Sequence, residues 1–200
     1  MILSHKYKFV CLNPPKTGSG FREDLLANFA DVSLITHGDI NSGNILGVRH
    51  LTSTQASNYI KSINKDPNDY YWFTFVRNPW ERVVSWINMI RNHSLRDECP
   101  YLTKDEKSII DSIIEHNKFK EYIYRDGKLL DFIGSIENMT EDLIFVLNKL
   151  KINIPIVPKK DEYVKNFKNE IRRGFTPELV KKIADSEKEV IEMKNYKFEQ

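Results

Sequence analysis

A short glycine-containing motif near the start of the chain has the residue types that bind phosphate or sulfate groups; it reads Pro15-Lys16-Thr17-Gly18-Ser19-Gly20. Glycine lets backbone N–H groups approach an anion closely, and a helix that starts at the motif adds the positive end of its dipole. Lys16 adds a full positive charge, and the hydroxyls of Thr17 and Ser19 add donors. In the P-loop of kinases and ATPases the lysine follows the second glycine, whereas Lys16 precedes both glycines. The motif alone fits either an anion site or a Gly-rich turn with a solvated lysine.

A second motif further along the chain begins in a predicted strand and ends in a predicted helix; it reads Phe73-Thr74-Phe75-Val76-Arg77-Asn78-Pro79-Trp80-Glu81-Arg82-Val83-Val84-Ser85. Arg77 leaves the strand and can make bidentate contacts with a phosphate group. The Asn-Pro-Trp-Glu segment that follows has the residues preferred at a capped helix start. Arg82 and Ser85 fall opposite the apolar face of this helix, which predicts a polar contact. The motif predicts a second anion site, and surface ion pairing of the two arginines is the alternative.

Taken in order, the two motifs resemble those of sulfotransferases that use PAPS (3′-phosphoadenosine 5′-phosphosulfate) as sulfuryl donor. The first is similar to the 5′-phosphosulfate loop of these enzymes, and the second is similar to their 3′-phosphate motif. The similarity is greatest to the carbohydrate-type family, which includes the Golgi-type enzymes and their bacterial relatives. Weaker similarities extend along the chain at His50-Leu51, at residues 132–139 and at residues 195–198. Ser135 departs from the family pattern, which has an arginine at this position.

The resemblance implies a fold, a donor and an acceptor class. The expected fold is a three-layer α/β, P-loop-like sulfotransferase fold with a mainly parallel central sheet and a helical C-terminal half. A single sulfotransferase domain is expected over residues 1–200. PAPS is the implied donor and PAP the product, with no metal in the site. The implied acceptor carries a hydroxyl and is expected to be a carbohydrate or another small molecule.

The resemblance also implies roles for individual residues of the two motifs. Lys16 is expected to stabilise the leaving phosphate oxygen and the sulfuryl group during in-line transfer. The 3′-phosphate is assigned to Arg77 and Ser85. The 5′-phosphate is assigned to the remainder of the loop, Pro15, Thr17, Gly18, Ser19 and Gly20.

An acceptor hydroxyl that attacks sulfur benefits from a general base with a pKa near neutrality, which histidine provides. His50 is our first candidate, because it lies between the two motifs and matches the His-Leu position of the family. His37 is the reserve. Glu23 is a third candidate, because some related enzymes use a carboxylate near the loop helix.

The elements that must position these residues alternate between strands and helices in the first half of the chain. An apolar run at residues 9–12 predicts a buried strand, and apolar residues at near-helical spacing over 21–29 predict a helix after the loop. Residues 70–76 are nearly all aromatic or β-branched, which predicts a strand covered on both faces. Further strands are predicted at 32–35 and 129–133, and further helices at 53–63 and after Thr103, Asn138 and Thr176. This order favours an α/β domain around a mainly parallel sheet.

Composition and charge exclude several classes of protein. A chain of 200 residues that is 40% hydrophobic and 29% charged suits one globular domain rather than a disordered or fibrous protein. A net charge of +2 gives no general attraction to nucleic acid or membranes. Cys11 and Cys99 form no disulfide framework, and no apolar stretch approaches the roughly 20 residues that cross a bilayer. Since no secretory signal is present either, we expect a cytoplasmic protein without a transmembrane segment and without a nucleic-acid partner.

Two other functions stay open at this point. One is a P-loop nucleotide or small-molecule kinase, and the position of Lys16 and the lack of a clear metal-binding acid at a strand end count against it. The other is a non-catalytic protein that binds PAP or another nucleotide. Residues 36–50 and 92–130 are expected to shape the acceptor pocket, and they carry no recognisable acceptor motif.

Overall fold

The computed structural model describes residues 1–33, 49–94, 106–154 and 175–198. The chain forms two compact units. The first unit comprises Met1–Val76 and Glu121–Lys160, and the second comprises Arg77–Lys120 and Asp161–Gln200. The reserve base His37 and the helix start predicted at Thr103 lie outside the described residues, as does much of the two predicted acceptor segments.

A five-stranded sheet forms the centre of the first unit. In spatial order β3-β1-β2-β4-β7, its strands are Val32–Ser33, Ile2–Ser4, Phe9–Leu12, Tyr71–Val76 and Phe132–Ser135. Strands β2, β4 and β7 pair in parallel, whereas β1 runs antiparallel to both of its neighbours. A separate hairpin joins β5 and β6, which span Tyr124–Arg125 and Lys128–Leu129. The predicted α/β class with a mainly parallel sheet is therefore confirmed.

Helices cover both faces of this sheet because its central strands are apolar on both sides. Every residue of β2 is buried, and alternate side chains enter different core clusters. Phe9 and Cys11 pack in the cluster that contains the apolar face of α6, which spans Met139–Lys149. The other two β2 side chains pack in the cluster that contains Ala56 and Ile60 of α2. Strands buried on both faces read as continuous apolar runs, as the sequence of β2 and β4 does.

Side-chain capping sets the start of α2 in the first unit. Helix α1 spans Ser19–Leu26 and continues as a short 3₁₀ turn, and α2 spans Ser53–Ser62. Thr52 and Gln55 form a complete capping box at the start of α2. A short helix, α5, spans Lys120–Ile123.

One boundary prediction and one capping prediction in the first unit are wrong. The strand predicted at 129–133 is divided, because the Asp131 carboxylate accepts a hydrogen bond from the Trp72 N–H at 2.7 Å and β7 begins only afterwards. Asn138 is the N-cap of α6, as predicted, but its side chain makes no cap hydrogen bond. Instead, the Asn138 N–H donates to the hydroxyl of Ser135 at 3.2 Å, which ties the helix start to the end of β7.

Helices form the described part of the second unit. They are α3, α4, α7 and α8, which span Pro79–Ser94, Glu106–His116, Pro177–Ser186 and Lys188–Lys194. The predicted apolar face of α3 packs with Ile110, Ile113 and Ile183. Thr176 caps α7 as predicted, since its hydroxyl accepts a hydrogen bond from the Leu179 N–H. None of the helices in the described ranges combines the length and apolar character needed to cross a membrane.

A buried ion pair joins two helices of the second unit. Arg82 is 2% exposed, and its Nη1 lies 3.2 Å from Oε1 of Glu187. The same carboxylate accepts the N–H of Phe119, and the Arg82 guanidinium lies 4.1 Å from the centre of the Phe119 ring. The polar contact predicted for Arg82 is therefore an internal one.

We expect Arg82→Met to lower the free energy of unfolding by about 3 kcal/mol or more, because the Glu187 carboxylate would stay buried without its cation. Urea denaturation measures the change. The matched control is Lys181→Met, which removes a cation from an exposed pair and should change stability little. Arg82→Met/Glu187→Leu should recover part of the loss. An Arg82→Met protein as stable as the control would contradict the assignment.

Candidate functional site

The Pro15–Gly20 loop follows β2 and runs into the first turn of α1, which begins at Ser19, in the predicted order of strand, loop and helix. Two of its residues have left-handed backbone conformations, with φ of 65° at Lys16 and 70° at Gly18. Gly18 is the N-cap of α1 and has no side chain to give a cap, so the sharp entry into the helix depends on glycine. Lys16 is half-buried, and the chain then enters the first turn of α1 at Ser19.

Arg22, a fully buried residue of α1, forms hydrogen bonds to the loop at Thr17. Its Nη1 donates to the carbonyl of Thr17, and its Nη2 donates to the Thr17 hydroxyl at 3.1 Å. A trans peptide places its C=O and the following N–H on opposite sides. Because the Thr17 carbonyl faces Arg22, the N–H of Gly18 points away from Arg22, as an anion cradle requires.

The Thr17 side chain is used inside the loop. Its hydroxyl is fully buried and donates its single proton to the carbonyl of Pro14 at 2.7 Å. The predicted donation of that proton to a ligand does not fit this geometry. Thr17 instead fixes the shape of the loop, and the hydroxyl of Ser19, at a half-exposed position, is the loop hydroxyl open to a ligand.

The His50 side chain lies next to the end of β2, where it contacts the backbone of Asn13. Its Nδ1 is 2.6 Å from the Asn13 carbonyl oxygen, which can only accept. Nδ1 therefore carries the proton, and Nε2 presents a lone pair, which is the tautomer a general base needs. The His50 carbonyl also accepts the hydroxyl of Tyr122 at 3.1 Å, which fixes the backbone at this position.

The electrostatics of His50 differ from the sequence-based expectation. Burial lowers the pKa of His50 to about 4, although the hydrogen bond to the Asn13 carbonyl acts in the opposite direction. The imidazole is therefore neutral through the physiological range, and it is a weaker base than a histidine with a pKa near neutrality.

Glu23, the third candidate base, is a buried counter-ion. It is 4% exposed and accepts from the side-chain amide of Asn13 at 3.0 Å. Nε of Arg49 donates to Oε1 at 3.0 Å, and Nη2 of Arg49 donates to Oε2. Both carboxylate oxygens of Glu23 are occupied by hydrogen-bond donors of the protein, so its lone pairs are not directed at an acceptor hydroxyl.

Sequence reasoning missed Asn13, Arg22 and Arg49 as members of this site. Asn13 is fully buried, and its amide oxygen accepts Nη2 of Arg22 at 3.1 Å while its amide nitrogen donates to Glu23. Arg22 lies on the helix that follows the loop, and a charge on the core-facing side of a helix was the available signal. Arg49 has no such signal, because its partner lies 26 residues earlier.

The second motif is positioned by the start of α3. Arg77 immediately follows β4, is half-buried, and places Nη2 3.9 Å from a carboxylate oxygen of Glu81. Asn78 caps α3 as predicted, since its side-chain oxygen accepts the N–H of Trp80 at 3.1 Å. Ser85 is half-exposed on α3. The Arg77 side chain is thus 12% exposed and Ser85 is partly exposed, whereas Arg82 is buried.

Comparison of the chain with protein-family models, with curated proteins and with solved structures gives no significant match. The class that the fold defines is an α/β protein with a mainly parallel sheet. The chemistry of the site rests on its own geometry: a glycine-containing loop at a helix start, two guanidinium groups around one carboxylate, and a neutral histidine.

The two glycines of the loop should respond differently to alanine. Gly18→Ala places a side chain at φ of 70° and should lower the free energy of unfolding by about 1–2 kcal/mol. Gly20 lies inside α1, where a Cβ would be 4.0 Å from Nη2 of Arg49, so Gly20→Ala should leave stability within about 0.5 kcal/mol or raise it. Thermal and urea unfolding of both variants test this order, and the reverse order would show that the loop is built differently.

Proposed function

We propose that this chain is a PAPS-dependent sulfotransferase that moves a sulfuryl group to a hydroxyl of an acceptor, most suitably a carbohydrate. The observation that carries the proposal is the Thr17–Gly18 peptide, whose carbonyl is held by Arg22 and whose N–H is thereby turned outward. With Lys16 and the start of α1, this N–H forms a cradle for a tetrahedral anion group. Because Lys16 precedes both glycines, a sulfate donor suits the loop better than ATP.

The proposed donor contacts divide between the two motifs. The 5′-phosphosulfate is assigned to the loop, with Lys16 as the cation and Gly18, Ser19 and Gly20 as backbone donors. The 3′-phosphate is assigned to Arg77 and Ser85. A second phosphate is what distinguishes PAPS and PAP from simpler adenine nucleotides, so these assignments make a specific ligand prediction. The P-loop-like sulfotransferase fold, as one functional domain, is part of the same proposal and is supported by the β2-loop-α1 unit.

The proposed reaction is an in-line transfer. The acceptor oxygen forms a bond to sulfur while the bond between sulfur and the 5′-phosphate oxygen breaks, and PAP leaves. Lys16 stabilises the charge that grows on the leaving oxygen. Nε2 of His50 receives the proton of the acceptor hydroxyl as the new bond forms.

A second candidate is supported by the environment of His50. A base whose pKa is about 4 has a smaller driving force for proton removal, which favours a protein that binds PAP and does not turn over. The two candidates differ in one experiment, a labelled-sulfate assay with PAPS and a panel of carbohydrate and small-alcohol acceptors, run beside calorimetric PAP binding. PAP binding without transfer to any acceptor supports the second candidate. Magnesium-dependent consumption of ATP instead of PAPS would support a kinase.

Lys16→Ala should reduce the rate of sulfate transfer by about 100-fold or more, because it removes the charge next to the leaving oxygen. The labelled-sulfate assay measures this rate. Lys61→Ala, an exposed lysine in the last turn of α2, is the matched control and should keep full activity. Equal activity of the two variants would remove Lys16 from the mechanism.

His50 should set the acidic limb of the pH profile. The base acts only when neutral, so activity is present above its folded-state pKa and is lost as pH falls through about 4. His50→Gln should lower kcat by about 100-fold across the neutral range while PAP affinity stays unchanged. Single-turnover rates between pH 3.5 and 8, with circular dichroism as a check on folding, measure both effects. If activity were instead lost near the ordinary histidine pKa of about 6.5, the lowered pKa of His50 would be contradicted.

A further inference from the structure

Arg49 is a guanidinium held at a fixed position beside the loop. Its Nε and Nη2 form a fork on the two oxygens of Glu23, and Glu23 is itself held by the amide of Asn13. Such forks fix the plane of the guanidinium as well as its distance. The Arg49 side chain is 25% exposed, whereas Glu23 is almost fully buried. The carboxylate therefore serves as an internal anchor, and the arginine reaches toward solvent.

The Arg49 guanidinium lies next to Gly20. An ideal Cβ built on Gly20 would lie 4.0 Å from Nη2 of Arg49. Gly20 is the second residue of α1, and Cα–Cβ bonds tilt toward the start of a helix. Nη2 of Arg49 therefore lies beside the first turn of α1, near the end where backbone N–H groups have no partner within the helix. Because Gly20 has no side chain, the guanidinium can approach this turn closely.

The charges near this helix start favour an anion. Arg22 and Arg49 lie near the positive end of α1, and Glu23 is the carboxylate that the Arg49 guanidinium contacts. Cations at the start of a helix are unfavourable unless an anion compensates them. Arg22 is fully buried and donates inward to the loop and to Asn13, so it cannot reach a ligand.

We propose that Arg49 is a further ligand of the donor, contacting the 5′-phosphosulfate together with Lys16, with Glu23 as its positioning carboxylate. Within the described part of the chain, only Glu23 accepts hydrogen bonds from the Arg49 guanidinium. Three of its five N–H groups are therefore available for phosphate or sulfuryl oxygens. The proposal rests on the proposed function for the identity of the anion, and it adds a residue that no motif in the sequence assigns.

Calorimetric binding of PAP, 5′-AMP and 3′-AMP tests the assignment. Arg49→Met should weaken the binding of PAP and of 5′-AMP by about 10- to 100-fold, the range for a charge-assisted contact. The affinity for 3′-AMP should stay within about twofold of the native value. Arg49→Lys should lose less, because it keeps the charge without the fork. The matched control is Arg125→Met, which removes an arginine that contacts Pro67 and Asn68, and it should bind all three ligands as the native protein does.

The outcomes separate this inference from the proposed function. Unchanged PAP and 5′-AMP affinity in Arg49→Met overturns the role of Arg49 and leaves the proposed function standing. Equal weakening of 5′-AMP and 3′-AMP also overturns it, because a merely structural role would affect both. If Arg49→Met is unfolded by circular dichroism, Arg49→Lys carries the same comparison. If the native protein binds no PAP, the proposed function is contradicted. Binding of inorganic pyrophosphate to the native and Arg49→Met proteins then tests Arg49 alone. If the native protein binds no pyrophosphate either, both the proposed function and the role of Arg49 are overturned.

Discussion

Asn13 is the buried polar residue on which the candidate site depends. Its amide oxygen accepts Arg22, its amide nitrogen donates to Glu23, and its carbonyl accepts His50. Arg22 and Glu23 are buried and His50 is partly buried, and an unsatisfied buried polar group costs roughly 1–3 kcal/mol. The partners must therefore keep one arrangement for all bonds to be made. One asparagine at the end of β2 thus sets the loop, the counter-ion and the tautomer of the histidine together.

The same network explains how a nearly neutral chain concentrates positive charge. The net charge of the protein is only +2, yet Arg22, Arg49 and Lys16 all lie near the start of α1. The buried Arg22 shapes the backbone, whereas Arg49 and Lys16 are partly exposed. His50 carries no positive charge at neutral pH, because burial removes the hydration of the charged imidazole and lowers the pKa of His50 to about 4.

Arginines that are close in the sequence have different roles. Arg77 follows the end of a central strand and lies near Glu81, whereas Arg82, one helical turn later, is enclosed by Glu187 and Phe119. Arg82 stabilises the packing of the second unit. Two arginines of one motif therefore have different surroundings, and only the partners of each side chain distinguish them.

Local chemistry in the sequence determined the strand, loop and helix around residues 9–26, the buried strand β4, and the caps at Asn78 and Thr176. Apolar periodicity and capping act over a few residues, so they can be read directly from the chain. Only the tertiary structure decided that Glu23 is a counter-ion, that His50 is partly buried, and that Arg82 belongs to an internal ion pair. The pairs that decide these roles join residues 26, 37 or 105 positions apart, as for Glu23 with Arg49, Asn13 with His50 and Arg82 with Glu187. Such contacts depend on how the sheet and helices pack, and no local pattern encodes them.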